Sequence, residues 1–382
     1  MDPSRAPTDS RAEAADDSDG ANRSAVGRDR PSTMKDIALA TGVSRSTVSR
    51  ILNDTPLTVP IAKETRERVL AAARDLEYRP NPLARALRGA PTMLLGAIVR
   101  DITDPFFSGA IEAVSSAARA RGYNIVLGLA HTRAREAFEL ATVLEARQCD
   151  GIILLGDMGD QPRLLEDLRG AHVPVVAMWQ GTRLDLIPGV QVDNHLGIRL
   201  AVAHLHELGH RRIAFIGGRM LGDIRERQAA YSEAVSEILG EIPPGYIQHV
   251  INSPEGGEDA FAALLRTEPR PTAVVASTDV LAIGVLRAAL LHGVKVPDQL
   301  SVVGFDDIPM ATSTVPDLTT VQMPIAAMAA EAVSLAVGTA HDLGDGTSHA
   351  DGGLPEARTR GHATVRVFPP TLVVRGSTAR AS

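Results

Sequence analysis

From Met93 onward the chain alternates short, nearly continuous apolar runs with helix-patterned stretches, and it does so twice. MLLGAIV (93–99), YNIVLGL (123–129), GIILL (151–155) and VPVVAM (173–178) form the first series. RIAFIGG (212–218), YIQHVIN (246–252), TAVVAS (272–277) and LSVVGFDD (300–307) form the second. Between them lie segments such as SGAIEAVSSAARARG and REAFELATVLEARQ, which read as helices. A strand apolar on both faces must be covered on both faces, so each series predicts a parallel sheet wrapped by helices. Two series predict two Rossmann-like lobes, with a ligand between them at the carboxyl ends of the strands.

Polar residues at those strand ends are therefore the candidate ligand contacts. Asp101, Asp104 and Phe106 follow the first strand, and Arg227 opens the helix after RIAFIGG. Ser277 ends TAVVAS with Thr278 and Asp279 next, and Asp306 and Asp307 follow LSVVGF. An arginine among carboxylates suits a hydroxyl-rich ligand, because each group binds two atoms and fixes orientation. Trp179, the single tryptophan, follows VPVVAM and offers a flat face to a sugar ring or a base. Asp279 and Asp307 fit helix caps as well, and Trp179 fits packing between lobes.

From residue 33 to 90 the pattern is helical throughout. Thr33 with Asp36 reads as a capping pair, with Ile37 and Ala40 turned inward on a short first helix. Thr41-Gly42-Val43 turns the chain, and Ser44 caps a second helix whose inward face is Val48, Ile51 and Leu52. That leaves Arg45, Ser46, Ser49 and Arg50 outside, side chains of the kind that reach base edges and phosphates in a major groove. A third helix is expected from about Pro60 to Leu76, burying Val69, Leu70, Ala73 and Leu76. Ten Lys/Arg against six Asp/Glu over residues 31–90 give this region +4. The thirty residues before it carry −2 and the remainder −9, within a total of −7. A basic helix-turn-helix thus precedes an acidic sensor.

The stretch YRPNPLARALRG (78–89), together with TMKDIALATGVSRSTVSRILN, resembles the lactose and galactose repressor family of bacterial transcription regulators, and the likeness runs from about 33 to 378. It implies a small all-α helix-turn-helix DNA-binding domain plus an α/β bilobal sensor that is periplasmic-binding-protein-like. In the implied roles, Thr33 and Ser44 cap helices and contact phosphates, while Arg45, Ser46 and Arg50 read bases. Thr47, Ser49, Asn81, Ala84 and Arg85 join the DNA-facing set. NPLARALRG matches the hinge helix, with Leu87 as the wedge that unstacks a minor-groove step. The positions of Arg227, Thr278 and Asp306 face the effector in the family. Two departures stand out: the loop DTPLTVPIAKE is about three residues longer than usual, and Met323 replaces a common Gln.

The resulting division is a disordered tail over 1–31, the DNA-binding domain over 32–79, a hinge over 80–90, and an effector-binding and dimerisation domain over 91–378, with a flexible insertion at 339–365. No run of apolar residues has the length of a signal peptide or membrane span, and the single cysteine, Cys149, fits a reducing cytoplasm. Neither phosphate-binding glycine motif nor G-x-S-x-G occurs, so no enzyme and no cofactor is expected. His204, His206 and His210 in HLHELGH have metal-like spacing, but the resemblance makes His204 and His210 structural. The reading is a homodimeric, ligand-responsive regulator, a repressor of carbohydrate-utilisation genes on a near-palindromic operator. A sugar-binding transport protein, a hydrolase, or a regulator answering a nucleobase or other metabolite are the alternatives.

Overall fold

The computed structural model describes residues 32–52, 61–79, 91–131, 133–146, 149–158, 162–178, 186–218, 222–344 and 365–381. The tail over 1–31, the hinge over 80–90 with Asn81, Ala84, Arg85 and Leu87, most of the long loop, and Trp179 lie outside these residues. Contacts divide the chain into two units, Met1–Pro82 and Leu83–Ser382.

In the first unit, α1 (Met34–Thr41), α2 (Arg45–Leu52) and α3 (Lys63–Asp75) enclose Ile37, Val48, Ile51, Val69 and Ala73. Thr33 donates both its N–H and its hydroxyl to Asp36, at 2.8 and 2.7 Å, fixing the start of α1. Gly42, at φ 70°, ends it in the left-handed region and returns its N–H to the Ala38 carbonyl. Ala40 is exposed, contrary to expectation. The buried pair on α1 is Ile37 and Thr41, one turn apart, and the Thr41 hydroxyl is satisfied by the Ile37 carbonyl at 2.7 Å.

The second unit holds two six-stranded sheets. One contains β1 (Leu94–Val99), β2 (Asn124–Leu129), β3 (Gly151–Leu155), β4 (Val175–Met178), β5 (Gly189–Val192) and β11 (Val365–Phe368), ordered β2-β1-β3-β4-β5-β11. The other contains β6 (Ile213–Gly217), β7 (Ile247–His249), β8 (Ala273–Ala276), β9 (Ser301–Asp306), β10 (Thr319–Gln322) and β12 (Thr371–Val373), in the equivalent order β7-β6-β8-β9-β10-β12. All pairings are parallel except β10 with β12. β1, β3, β4, β6, β8 and β9 are buried almost throughout, as their unbroken apolar runs require.

The helices that position the site are α4 (Pro105–Arg119), α5 (Ala134–Ala146) and α6 (Pro162–Arg169) in the first lobe. In the second lobe they are α7 (Asn194–Glu207), α8 (Gly222–Ile238), α9 (Pro254–Leu264) and α10 (Asp279–Leu291). The chain crosses between lobes three times: after β5, after β10 into α11 (Ile325–Gly344), which packs on the first sheet, and between β11 and β12. Of the insertion expected over 339–365, residues 339–344 belong to α11 and Val365 to β11, and the remainder lies outside the described residues.

His204 and His210 dock the end of the chain onto the second lobe. His204 Nε2 lies 3.0 Å from the Thr378 hydroxyl, and His210 bridges Thr272 and Ser301 at 2.9 and 3.0 Å. Burial lowers the pKa of both, which favours the neutral, two-sided hydrogen-bonding ring. Among the described residues no three His, Cys, Asp or Glu side chains are disposed to hold a metal ion.

Candidate functional site

Two surfaces carry chemistry, one in each unit. On α2, Val48 and Ile51 are buried while Arg45, Ser46 and Arg50 are exposed and Thr47 and Ser49 are half-buried. Ser44 Oγ accepts the Thr47 N–H at 3.1 Å, capping the helix, and lies 2.7 and 2.8 Å from the Ser46 and Thr47 hydroxyls. The apolar side therefore locks α2 onto α1 and α3, and guanidinium and hydroxyl groups point away from the core.

In the second unit a cleft of about 510 Å³ opens at the carboxyl ends of both sheets, where strand order reverses at β1 and β6. Arg227 is its most constrained group. Its Nε donates to Asn194 Oδ1 at 2.9 Å, and one terminal nitrogen donates to the Ser277 carbonyl at 2.6 Å and Asp306 Oδ1 at 3.1 Å. The other terminal nitrogen lies 3.8 Å from Met323 Sδ, and the guanidinium rests 3.6 Å from the centroid of the Phe305 ring. Only 3% of the Arg227 side chain is exposed, so the charge is held by these partners rather than by water.

Asp306 sits at φ 112° and Asp307 at φ 56°, two successive non-glycine residues in the left-handed region. Such backbone is stored where a side chain must be aimed, here at the end of β9. Burial pushes the Asp306 carboxyl well above its ordinary range, with Arg227 opposing. Asp104 caps α4 by accepting the Phe106 N–H at 3.0 Å and takes Asn252 Nδ2 at 3.1 Å from the other lobe. Burial raises its pKa as well, against the Phe106 N–H and Arg100. Asp101 accepts the N–H and hydroxyl of Thr103, at 2.9 and 2.6 Å.

Asp101, Asp104, Phe106, Arg227, Thr278 and Asp306 are thus all brought to the cleft wall. Asp279 and Asp307 are not caps. The cap of α10 is Thr278, whose hydroxyl accepts the Leu281 N–H at 3.4 Å and donates to Asn252 Oδ1 at 2.6 Å. Asp279 is wholly buried, accepting the Thr320 hydroxyl and the Ile308 N–H at 2.5 and 2.8 Å. Asp307 pairs with Arg375 at 2.7 Å. Both tie the loop after β9 to its neighbours.

Asn252 and Asp223 line the cleft and Asn194 holds Arg227, yet none of the three is among the candidates that the sequence points to. Asn252 ends the run YIQHVIN, so the strand-end rule reaches it once all polar types are counted. Asn194 follows GVQV, too short and polar to announce a strand. Asp223 lies one turn before Arg227, and only the helix periodicity links them.

The chain's residues 33–81 match the family model described as bacterial regulatory proteins, lacI family, and residues 202–378 match a periplasmic binding protein-like domain. Over 360 residues it is 36% identical to an HTH-type transcriptional regulator from the aml 5′ region of Streptomyces limosus, covering 91% of this chain and 94% of that one. The chain belongs to the LacI family of bacterial regulatory proteins. Identity to the HTH-type transcriptional repressor CytR of Escherichia coli K12 is 35% over 305 residues, or 79% of this chain and 88% of that protein. The Lac repressor dimer bound to operator and the anti-inducer ONPF superposes with a TM-score of 0.75 at 26% identity, covering 92% of this chain and all of that one. This LacI-family chain is therefore a DNA-binding transcription regulator with a ligand-sensing domain. Among its described residues no helix is long and apolar enough to cross a membrane.

Proposed function

We propose that the protein is a cytoplasmic homodimeric repressor of carbohydrate-utilisation genes, whose operator affinity is set by a polyhydroxylated effector in the cleft. The observation that carries the effector class is the Arg227–Asp306 pair: a guanidinium immobilised by four neighbours, beside a carboxylate with one oxygen bonded to it. Such a pair offers a fixed donor and a fixed acceptor to adjacent hydroxyls. Asp104, Phe106 and Thr278, with Asp101 at the rim, complete the contacts, and Trp179 supplies a stacking face.

The DNA-binding domain is assigned to 32–79, the hinge to 80–90 and the effector and dimerisation domain to 91–378. On DNA, Arg45, Ser46 and Arg50 read base edges while Thr33, Ser44, Thr47 and Ser49 hold phosphates. Asn81, Ala84, Arg85 and Leu87 act from the hinge in the minor groove. Two-fold symmetry of the dimer implies two half-sites in inverted repeat. An effector that binds one spacing of the two lobes better than another shifts the equilibrium toward it, and the hinges of a dimer meet only at one spacing. Selection from random duplexes should return an inverted repeat, and calorimetry against neutral sugars and nucleobases should find ligands among the sugars. A nucleobase ligand with no sugar ligand would overturn the effector class.

A further inference from the structure

Acidic side chains outnumber basic ones on the cleft wall. Four carboxylates, Asp101, Asp104, Asp223 and Asp306, face it with two guanidiniums, Arg100 and Arg227. Both guanidiniums are committed. Arg227 serves Asp306, and Arg100 lies 3.7 Å from Asp104 with its guanidinium 4.9 Å from the Phe107 ring centroid. Asp101 is turned onto Thr103. Asp223 remains: its Oδ1 is buried and has no hydrogen-bond partner.

A first-turn aspartate is ordinarily explained by the exposed N–H groups of its own helix. On α8 that explanation is weakened, because the Gly222 N–H is taken by Asp157 of the other lobe at 2.6 Å. A buried carboxylate oxygen left without a donor is strongly unfavourable. A metal ion is a poor answer, since among the described residues no three acidic or imidazole groups converge to chelate one. The cleft is also lined by Ile224, Ile251, Val280 and Met323, a setting for an organic ligand.

We infer that the effector carries a protonated amine beside its hydroxyls, as an amino sugar does, and that Asp223 is the residue that selects it. This rests on the carbohydrate reading of the cleft and names its subclass. In the complex, an ammonium N–H donates to Asp223 Oδ1, while Arg227 and Asp306 hold neighbouring hydroxyls. A neutral sugar of the same shape leaves Asp223 with at best a hydroxyl, a weaker partner than a charged donor.

The test is calorimetry on the full chain at neutral pH with matched pairs: glucosamine and glucose, galactosamine and galactose, the glucosamine disaccharide and cellobiose. Wild type should bind the amine of at least one pair about tenfold tighter than its neutral counterpart, and Asp223→Asn should cut that preference below about threefold. The proposal is overturned if no amine binds, if each neutral sugar binds as well as its amine, or if Asp223→Asn keeps the full preference. Asp306→Asn separates the failures. Equal binding by wild type and Asp306→Asn would move the effector site out of the cleft and sink both readings. Loss of binding in Asp306→Asn, with amine preference intact in Asp223→Asn, would keep the cleft and remove only the role of Asp223.

Discussion

Asn252 Nδ2 and Asp104 Oδ2 meet 3.1 Å apart across the cleft, joining the loop after β7 in one lobe to the cap of α4 in the other. Because Asn252 also accepts the Thr278 hydroxyl, one amide links the caps of α4 and α10. Asn252→Ala should leave the Asp104 carboxylate without its donor from the other lobe and the Thr278 hydroxyl without its acceptor. Effector affinity should fall about tenfold by calorimetry, with operator affinity in the absence of effector unchanged.

The pH dependence of stability has a specific source in Asp279. Burial raises its pKa to about 7, against the hydrogen bonds from Thr320 and Ile308. Below that pH the folded chain keeps a proton that the unfolded chain releases near pH 4. Between about pH 4 and 7 the folded form binds more protons, so this group's contribution to stability falls as pH rises, by on the order of 4 kcal/mol at most. Urea unfolding at pH 5 and pH 8 should show a smaller difference for Asp279→Asn than for wild type.

Gly197 on α7 allows the ring beneath Arg227 to lie where it does. A Cβ there would stand 2.7 Å from Phe305 Cε2 and 3.1 Å from Val321. Gly197→Ala should push the ring into Arg227, destabilising the protein by about 1–3 kcal/mol and weakening effector binding together. Thermal unfolding and titration on the same variant check both.

Strands buried on both faces, such as Leu94–Val99 and Ser301–Asp306, were legible because burial leaves no place for polar residues. β5 (GVQV), β10 (TTVQ) and β11 (VRVF) were not, because each is a four-residue strand broken by glycine or polar residues and lacks the unbroken apolar run of a strand buried on both faces. Arg227 and Asp306 could be picked out by their place at strand ends. Their partners could not: Asn194 and Phe305 reach Arg227 through tertiary packing alone. Ala40 misled because spacing by three and by four both fit a short helix, and Thr41 satisfied its hydroxyl locally.

The exposed face of α2 gives the DNA prediction. Arg50→Ala should weaken binding to the selected operator by about 1–3 kcal/mol and relax base preference at one position per half-site. Wild-type affinity should fall steeply as salt rises, given the +4 balance of residues 31–90. Gel shifts across a salt series read both.

Control of DNA binding by the cleft, from a separate unit, is tested most directly by operator anisotropy with and without effector. The titration compares wild type with Asp306→Asn, which keeps an oxygen for Arg227 but removes the charge. The expected result is equal operator affinity without effector and an effector-dependent change in wild type that Asp306→Asn has lost. An effector response in Asp306→Asn equal to that of wild type would contradict the account.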